Sequence, residues 1–151
     1  MESTFKVWET NRHIHLSFLE KYTLEQLNKT PQGFSNNLIW NIGHVVVIQQ
    51  RLFYASSNLP LSIPDALVEA YKSGTKPSLN DTQETVDLLK ELLISPITKT
   101  KQDFADGIFK TYREFTTSTG FHIASTQDAI EFNNYHEALH LGFMMNIRKF
   151  V

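Results

Sequence analysis

Near the end of the chain Phe132, His136, Leu139, His140, Phe143, Ile147 and Phe150 fall at the spacing of one face of an α-helix. Ser125, with Asp128 three residues on, supplies an N-cap, so the pattern predicts a helix from about 126 to the C-terminus. An apolar stripe of that length must be covered by other elements of the fold. Two imidazoles lie within it, and buried ring nitrogens need partners.

The rest of the chain supplies helices to cover that stripe. Phe5, Trp8, His15, Leu19 and Tyr22 predict a first amphipathic helix over about 4–28, ended by Thr30, Pro31, Gln32 and Gly33. Ser35 is a natural cap for a second helix to about 57, whose inward line is Leu38, Ile42, Val45, Gln49 and Leu52; only Gly43 weakens it. Residues 59–80 turn to Pro, Ser, Gly and Asn and read as a long crossover, with a short helix over Asp65 to Lys72 after Pro64. Asp81 and Glu84 resemble a capping box ahead of a third long helix carrying Val86, Leu89, Leu92 and Leu93, which Pro96 kinks or ends. From 104 to 124 the β-favouring series Tyr112, Phe115, Thr116, Thr117, Phe121 predicts a loop or short ribbon. Four long helices and two long connections predict an all-α fold, a four-helix bundle with crossover connections forming a single domain over 1–151.

Composition narrows the function classes. Hydrophobic residues at 41% and charged residues at 20% are ordinary globular values and exclude a disordered chain. The chain has no cysteine, so disulfides, thiolate ligands and a cysteine nucleophile are excluded, and any metal must take nitrogen or oxygen ligands. With 14 basic and 16 acidic residues scattered along the chain, no basic stripe offers itself to nucleic acid. Apolar runs such as Val45–Ile48 are far shorter than a membrane span of about 20 residues, and the first residues carry no secretory pattern. The expected location is the cytoplasm.

His136 and His140, one turn apart, can place both imidazoles on one ion. A third nitrogen is available from His44, which sits mid-helix among Ile42, Val45 and Val46. Three neutral imidazoles from two facing helices suit Zn²⁺ or Ni²⁺ and leave a coordination position open for water or substrate. The bland alternative is a set of core histidines satisfied by hydrogen bonds. HEALH at 136–140 also satisfies H-E-x-x-H, the zinc-protease pattern with Glu137 as general base, but a chain this short offers little room for a protease cleft, and Glu137 reads as a helix-surface or supporting carboxylate. His15, in the first helix's apolar stripe, is a candidate supporter of the site or a hydrogen-bonded core residue. His13 and His122 read as bystanders, Trp40 and Tyr135 as packing, and Arg51 as a solvated helix residue with some capacity to attract an anion.

The segments NNLIWNIGHVVVIQQRLF at 36–53 and HEALHLGFMMNIRKF at 136–150 resemble the DinB-like superfamily in order, spacing and helix placement. The resemblance implies a four-helix bundle of unusual helix order, often dimeric, with a metal triad of His44, His136 and His140. It further implies a metal-dependent enzyme acting on a small molecule, foremost a transferase using a low-molecular-weight thiol. A hydrolase with the same triad, and a non-catalytic protein in which the metal braces a dimeric interaction module, are the alternatives.

Overall fold

A computed structural model describes all residues, 1–151. Six α-helices carry the fold: α1 Glu2–Lys21, α2 Leu24–Asn28, α3 Leu38–Phe53, α4 Asp65–Tyr71, α5 Gln83–Ala105 and α6 Thr126–Ile147. A two-stranded antiparallel ribbon, β1 Phe115–Thr116 with β2 His122–Ile123, precedes α6. The long helices α1, α3, α5 and α6 form the bundle. α1 packs on α5 and α6, and α3 packs on the same two helices from the other side. α1 and α3, consecutive long helices, therefore stand diagonally, as do α5 and α6, and this is the crossover topology that the long connections predict.

Helix ends follow local chemistry that periodicity alone does not register. The first predicted helix divides at Tyr22, whose backbone is extended at φ −102° and ψ 142°. Thr23 then opens α2 with a complete capping box: its hydroxyl accepts from Gln26 N–H at 3.2 Å and its own N–H donates to the Gln26 side chain at 3.0 Å. Asn37, not Ser35, caps α3, accepting from Trp40 N–H at 2.9 Å. α3 stops at Phe53 and a 3₁₀ turn over Ala55–Ser57 follows. The expected Asp81 box is not formed either; Thr82 holds the cap position, while Asp81 accepts from the Tyr71 hydroxyl at 2.6 Å. Ser125 and Asp128 do make their reciprocal cap, at 3.1 and 2.9 Å.

Pro96 does not end α5, which continues nine residues past it to Ala105. A proline inside a helix leaves the carbonyl four residues earlier without its donor, here Leu92. The Arg12 guanidinium reaches that carbonyl at 3.5 Å from α1. A side chain from a neighbouring helix thus supplies the donor the backbone lacks.

The interior is two apolar clusters separated by a polar layer. One gathers Phe18, Leu19, Leu38, Ile39, Ile42, Val45, Val46, Val47, Leu89, Leu93, Leu141, Met144 and Ile147; the other gathers Phe5, Trp8, Leu52, Phe53, Ile97, Ile123 and Ile130. Between them, on α1, α3 and α6, lie Asn11, Arg12, His15, Gln49, Asn133 and Glu137, all buried. α6 is accordingly rotated from the expected stripe. Asn133, Glu137, Leu141 and Met144 face inward, whereas Leu139, Phe143 and Phe150 are exposed.

Candidate metal centre

His44 comes from the middle of α3, and His136 and His140 come from successive turns of α6, the helix packed against it. Helix pairing brings their rings together, with centroids 5.3 Å apart for His44 and His136, 4.9 Å for His44 and His140, and 4.6 Å for His136 and His140. One ligating nitrogen from each lies within 4.8 Å of the others, so the three can hold a metal ion.

The far side of two rings is fixed by hydrogen bonds. His44 Nδ1–H donates to the Tyr71 carbonyl at 2.7 Å, and His140 Nδ1–H donates to Asn41 Oδ1 at 2.7 Å. Asn41 is itself oriented, because its amide donates to Asn36 Oδ1 at 2.9 Å and to the Asn37 carbonyl at 2.7 Å. In a neutral imidazole with its proton on Nδ1, Nε2 carries a bare lone pair. His44 and His140 therefore turn bare Nε2 atoms inward, and this outer hydrogen bonding is the kind that orients metal-ligating histidines. Trp40, stacked on the His44 ring at 4.7 Å and 13°, holds that ring from one face. Its indole N–H donates to Thr75.

His140 Nε2 stands 3.2 Å from His136 Nε2. Two lone pairs do not face each other at that distance without a proton or a cation between them. A zinc site with Zn–N bonds of about 2.0–2.1 Å at tetrahedral angles spaces its nitrogens by about 3.3 Å, so the donor set fits a divalent ion. Burial, reinforced by the neighbouring imidazoles, pushes His136 down to about 2 and His140 down to about 3, and burial lowers His44 as well. Each shift favours the neutral imidazole, the form a ligand must take.

Behind the triad lies the polar layer. Glu137 Oε1 accepts from Trp8 Nε1 at 3.0 Å, Arg12 Nε at 2.9 Å, Arg12 Nη2 at 2.8 Å and Asn133 Nδ2 at 2.8 Å, with both charged side chains fully buried. Burial pushes the Glu137 carboxyl up, while Arg12 and the other donors pull it back. Glu137 is therefore not a surface carboxylate: it is committed to α1, and the H-E-x-x-H protease role, which needs that carboxylate free for proton transfer, loses its base. His15 lies in the same layer. Its Nδ1–H donates to the Asn11 carbonyl at 2.9 Å and its buried Nε2 has no partner.

His13 bonds its own helix at the Glu9 carbonyl, and His122 lies on the ribbon 3.6 Å from Glu114. Neither joins the triad. Tyr135 is exposed and lies tilted against Phe132, outside the cluster. Trp40, expected as packing, packs on the His44 ring. Sequence reasoning missed the supporting residues Asn41 and Tyr71; Asn41 precedes His44 by nearly one turn, a local signal, whereas Tyr71 acts through its backbone and leaves none.

A cavity of about 640 Å³ opens beside His136, between the C-terminal half of α3, the 113–118 segment and Phe132. Its size suits a small organic molecule. No helix of the protein is long and apolar enough to cross a membrane.

A helical bundle whose facing helices converge three imidazoles, one of which borders a cavity, defines a candidate metal-binding protein. The sequence profile of the DinB superfamily matches residues 8–144, and the chain belongs to that superfamily. No curated protein matches it significantly.

Proposed function

We propose that this protein is a metal-dependent enzyme that binds one divalent ion, Zn²⁺ or Ni²⁺, on His44, His136 and His140 and transfers a low-molecular-weight thiol to an electrophilic small molecule. The observation that carries the reading is the convergence of three imidazoles, two of them anchored on their far side, with His136 opening onto a cavity of about 640 Å³. A bound divalent ion supplies Lewis acidity, lowering the pKa of a thiol that enters the open coordination position. The protein's own residues do the rest. Asn41 and the Tyr71 carbonyl hold two ligand rings in one tautomer, Trp40 blocks rotation of His44, and Glu137 fixes α6 from behind. His15 Nε2 offers a buried acceptor for a water under the site. A chain with no cysteine of its own takes its sulfur from outside, which accords with a reducing cytoplasm. Hydrolysis with the same triad differs only in that water takes the place of the thiol.

The test is elemental analysis of untagged protein beside His44→Ala and His136→Ala. About one metal per chain in the wild type and little in either variant, with helical circular dichroism preserved, supports the site; no metal after loading sinks it. Cobalt-substituted protein then separates the chemistries, since a thiol-binding site develops sulfur-to-cobalt charge-transfer absorption on thiol addition and a closed structural site does not.

The partner proposal is a second copy of the chain. From Phe132 to Ile147 the only charged residue of α6 is the buried Glu137, and Tyr135, Leu139 and Phe143 stand exposed. Such a stripe marks an interaction surface. Sedimentation of the wild type as a dimer and of Leu139→Glu/Phe143→Glu as a monomer supports it; a monomeric wild type at micromolar concentration refutes it.

A further inference from the structure

The cavity beside His136 has a mixed wall, with Phe115 and Phe132 among its apolar groups, and two arginines open onto it. Arg51 lies two helical turns beyond His44 on α3, on the cavity wall. Arg113 projects from the segment leading into β1, whose backbone is tied down by Arg113 N–H donating to the Ser56 carbonyl at 2.7 Å. Neither guanidinium forms an ion pair or a side-chain hydrogen bond, in contrast to Arg12, which makes both. The one carboxylate on the cavity wall, Glu114, stands 3.6 Å from His122 Nε2. Two uncommitted guanidiniums on a concave wall focus a positive field, and their planar forks match carboxylate geometry.

We infer that this cavity is an anion subsite: Arg51 and Arg113 bind a carboxylate of the small molecule whose thiol end reaches the triad at His136. The inference rests on the thiol-transfer reading and deepens it by naming the substrate class, an organic acid with an apolar portion against Phe115 and Phe132. It also accounts for two exposed arginines whose guanidiniums make no ion pair or hydrogen bond within the fold.

The experiment uses the full chain. Cobalt-loaded wild type is titrated with mercaptosuccinate and with 2-mercaptoethanol, reading the charge-transfer absorption, and the titrations are repeated on Arg51→Gln/Arg113→Gln. The dicarboxylate thiol is expected to bind about tenfold or more tightly than the neutral one, and the double variant to lose that preference at unchanged cobalt content and circular dichroism. Equal affinities in the wild type, or a preference retained by the variant, overturn the inference. A second titration needs no metal: succinate added to metal-free protein should shift the backbone amide resonances of residues 113–118 in the wild type and not in the variant. If thiols leave the cobalt spectrum untouched while succinate still shifts those amides, the thiol-transfer reading falls and the anion subsite stands. If succinate shifts nothing, the subsite falls whatever the thiols do.

Discussion

Replacing Glu137 with alanine strips the acceptor from four donors at once. Trp8 Nε1, Arg12 Nε, Arg12 Nη2 and Asn133 Nδ2 all converge on its Oε1 within 3.0 Å, and the Arg12 and Glu137 side chains are both fully buried. Removing one partner of a buried ion pair costs about 3–5 kcal/mol, because the remaining charge has neither water nor a counter-ion. The orphaned indole and amide add to this, and water entering the space left by the carboxylate gives some back, so a loss of about 4 kcal/mol is expected. In a chain of 151 residues, where each kcal/mol moves Tm by about 2–4 °C, this corresponds to a fall of roughly 10–15 °C. Urea unfolding followed by far-ultraviolet circular dichroism measures it directly. A loss below about 1 kcal/mol would show that the pair is not holding α1 to α6 and would refute the reasoning. A related comparison isolates the second duty of Arg12. Arg12→Met leaves the Leu92 carbonyl without a donor, so Pro96→Ala, which restores the helical N–H, should stabilise the Arg12→Met variant more than it stabilises the wild type.

Gly43→Ala should destabilise the protein by about 1–2 kcal/mol, the gain in helix propensity being outweighed by overpacking, because its new Cβ would lie 2.5 Å from the Tyr71 ring; since Tyr71 must shift and its carbonyl holds His44, metal affinity measured by competition with a chelator should fall too. Asn41→Ala removes the acceptor for His140 Nδ1–H and should weaken metal binding about 10–100-fold at unchanged helical content; unchanged affinity would rule out its orienting role. His15 is pushed down from 6.5 to about 3 by burial, so below pH 6.5 the unfolded chain binds a proton that the folded one refuses. Stability should therefore fall with pH between 6.5 and 3, by about 3 kcal/mol at pH 4.5 from this residue alone, and the urea-measured slope over that window should be shallower in His15→Leu.

The histidine triad was legible because polar residues inside apolar periodicity stand out: His136 and His140 are one turn apart, and His44 sits between Ile42 and the apolar run Val45 to Ile48. The bundle was legible for the same reason, as long amphipathic runs separated by Pro- and Gly-containing connections leave few other architectures. Rotation of α6 was not. Hydropathy places Leu139 and Phe143 inward and Glu137 outward, and the structure reverses this because the partners of Glu137 are Trp8 and Arg12, some 125 residues away in sequence. Periodicity reads each residue's average preference for water, and a buried ion pair defeats it in both partners at once. The break at Tyr22 is a different kind of miss. Thr23 and Gln26 spell a capping box, but the apolar run through Tyr22 and Leu24 masks it, and local hydrogen-bond chemistry outweighs continuity of the stripe. Pro96 belongs to the first kind, since what lets α5 continue is a donor from another helix.

Glu137 also decides which face of α6 meets α3. Neighbouring residues on a helix point about 100° apart, so anchoring Glu137 to α1 directs His136, and with it His140 one turn on, toward His44. Apolar packing alone would not impose that rotation, because α6 offers Leu139, Phe143 and Met145 as alternatives to Leu141 and Met144. The double variant Arg12→Met/Glu137→Leu separates stability from orientation. Replacing both charges with apolar groups of similar volume removes their desolvation penalty, so it should regain at least half of the stability lost in Glu137→Ala, short of full recovery because Leu92 stays without its donor. If the ion pair sets the rotation, metal affinity should remain depressed despite that recovery, and the amide spectrum of α6 should show more than one conformation. Wild-type metal affinity in a stably refolded double variant would mean that the triad is oriented by Asn41, Tyr71 and Trp40 alone, with the buried pair serving only to hold the helices together.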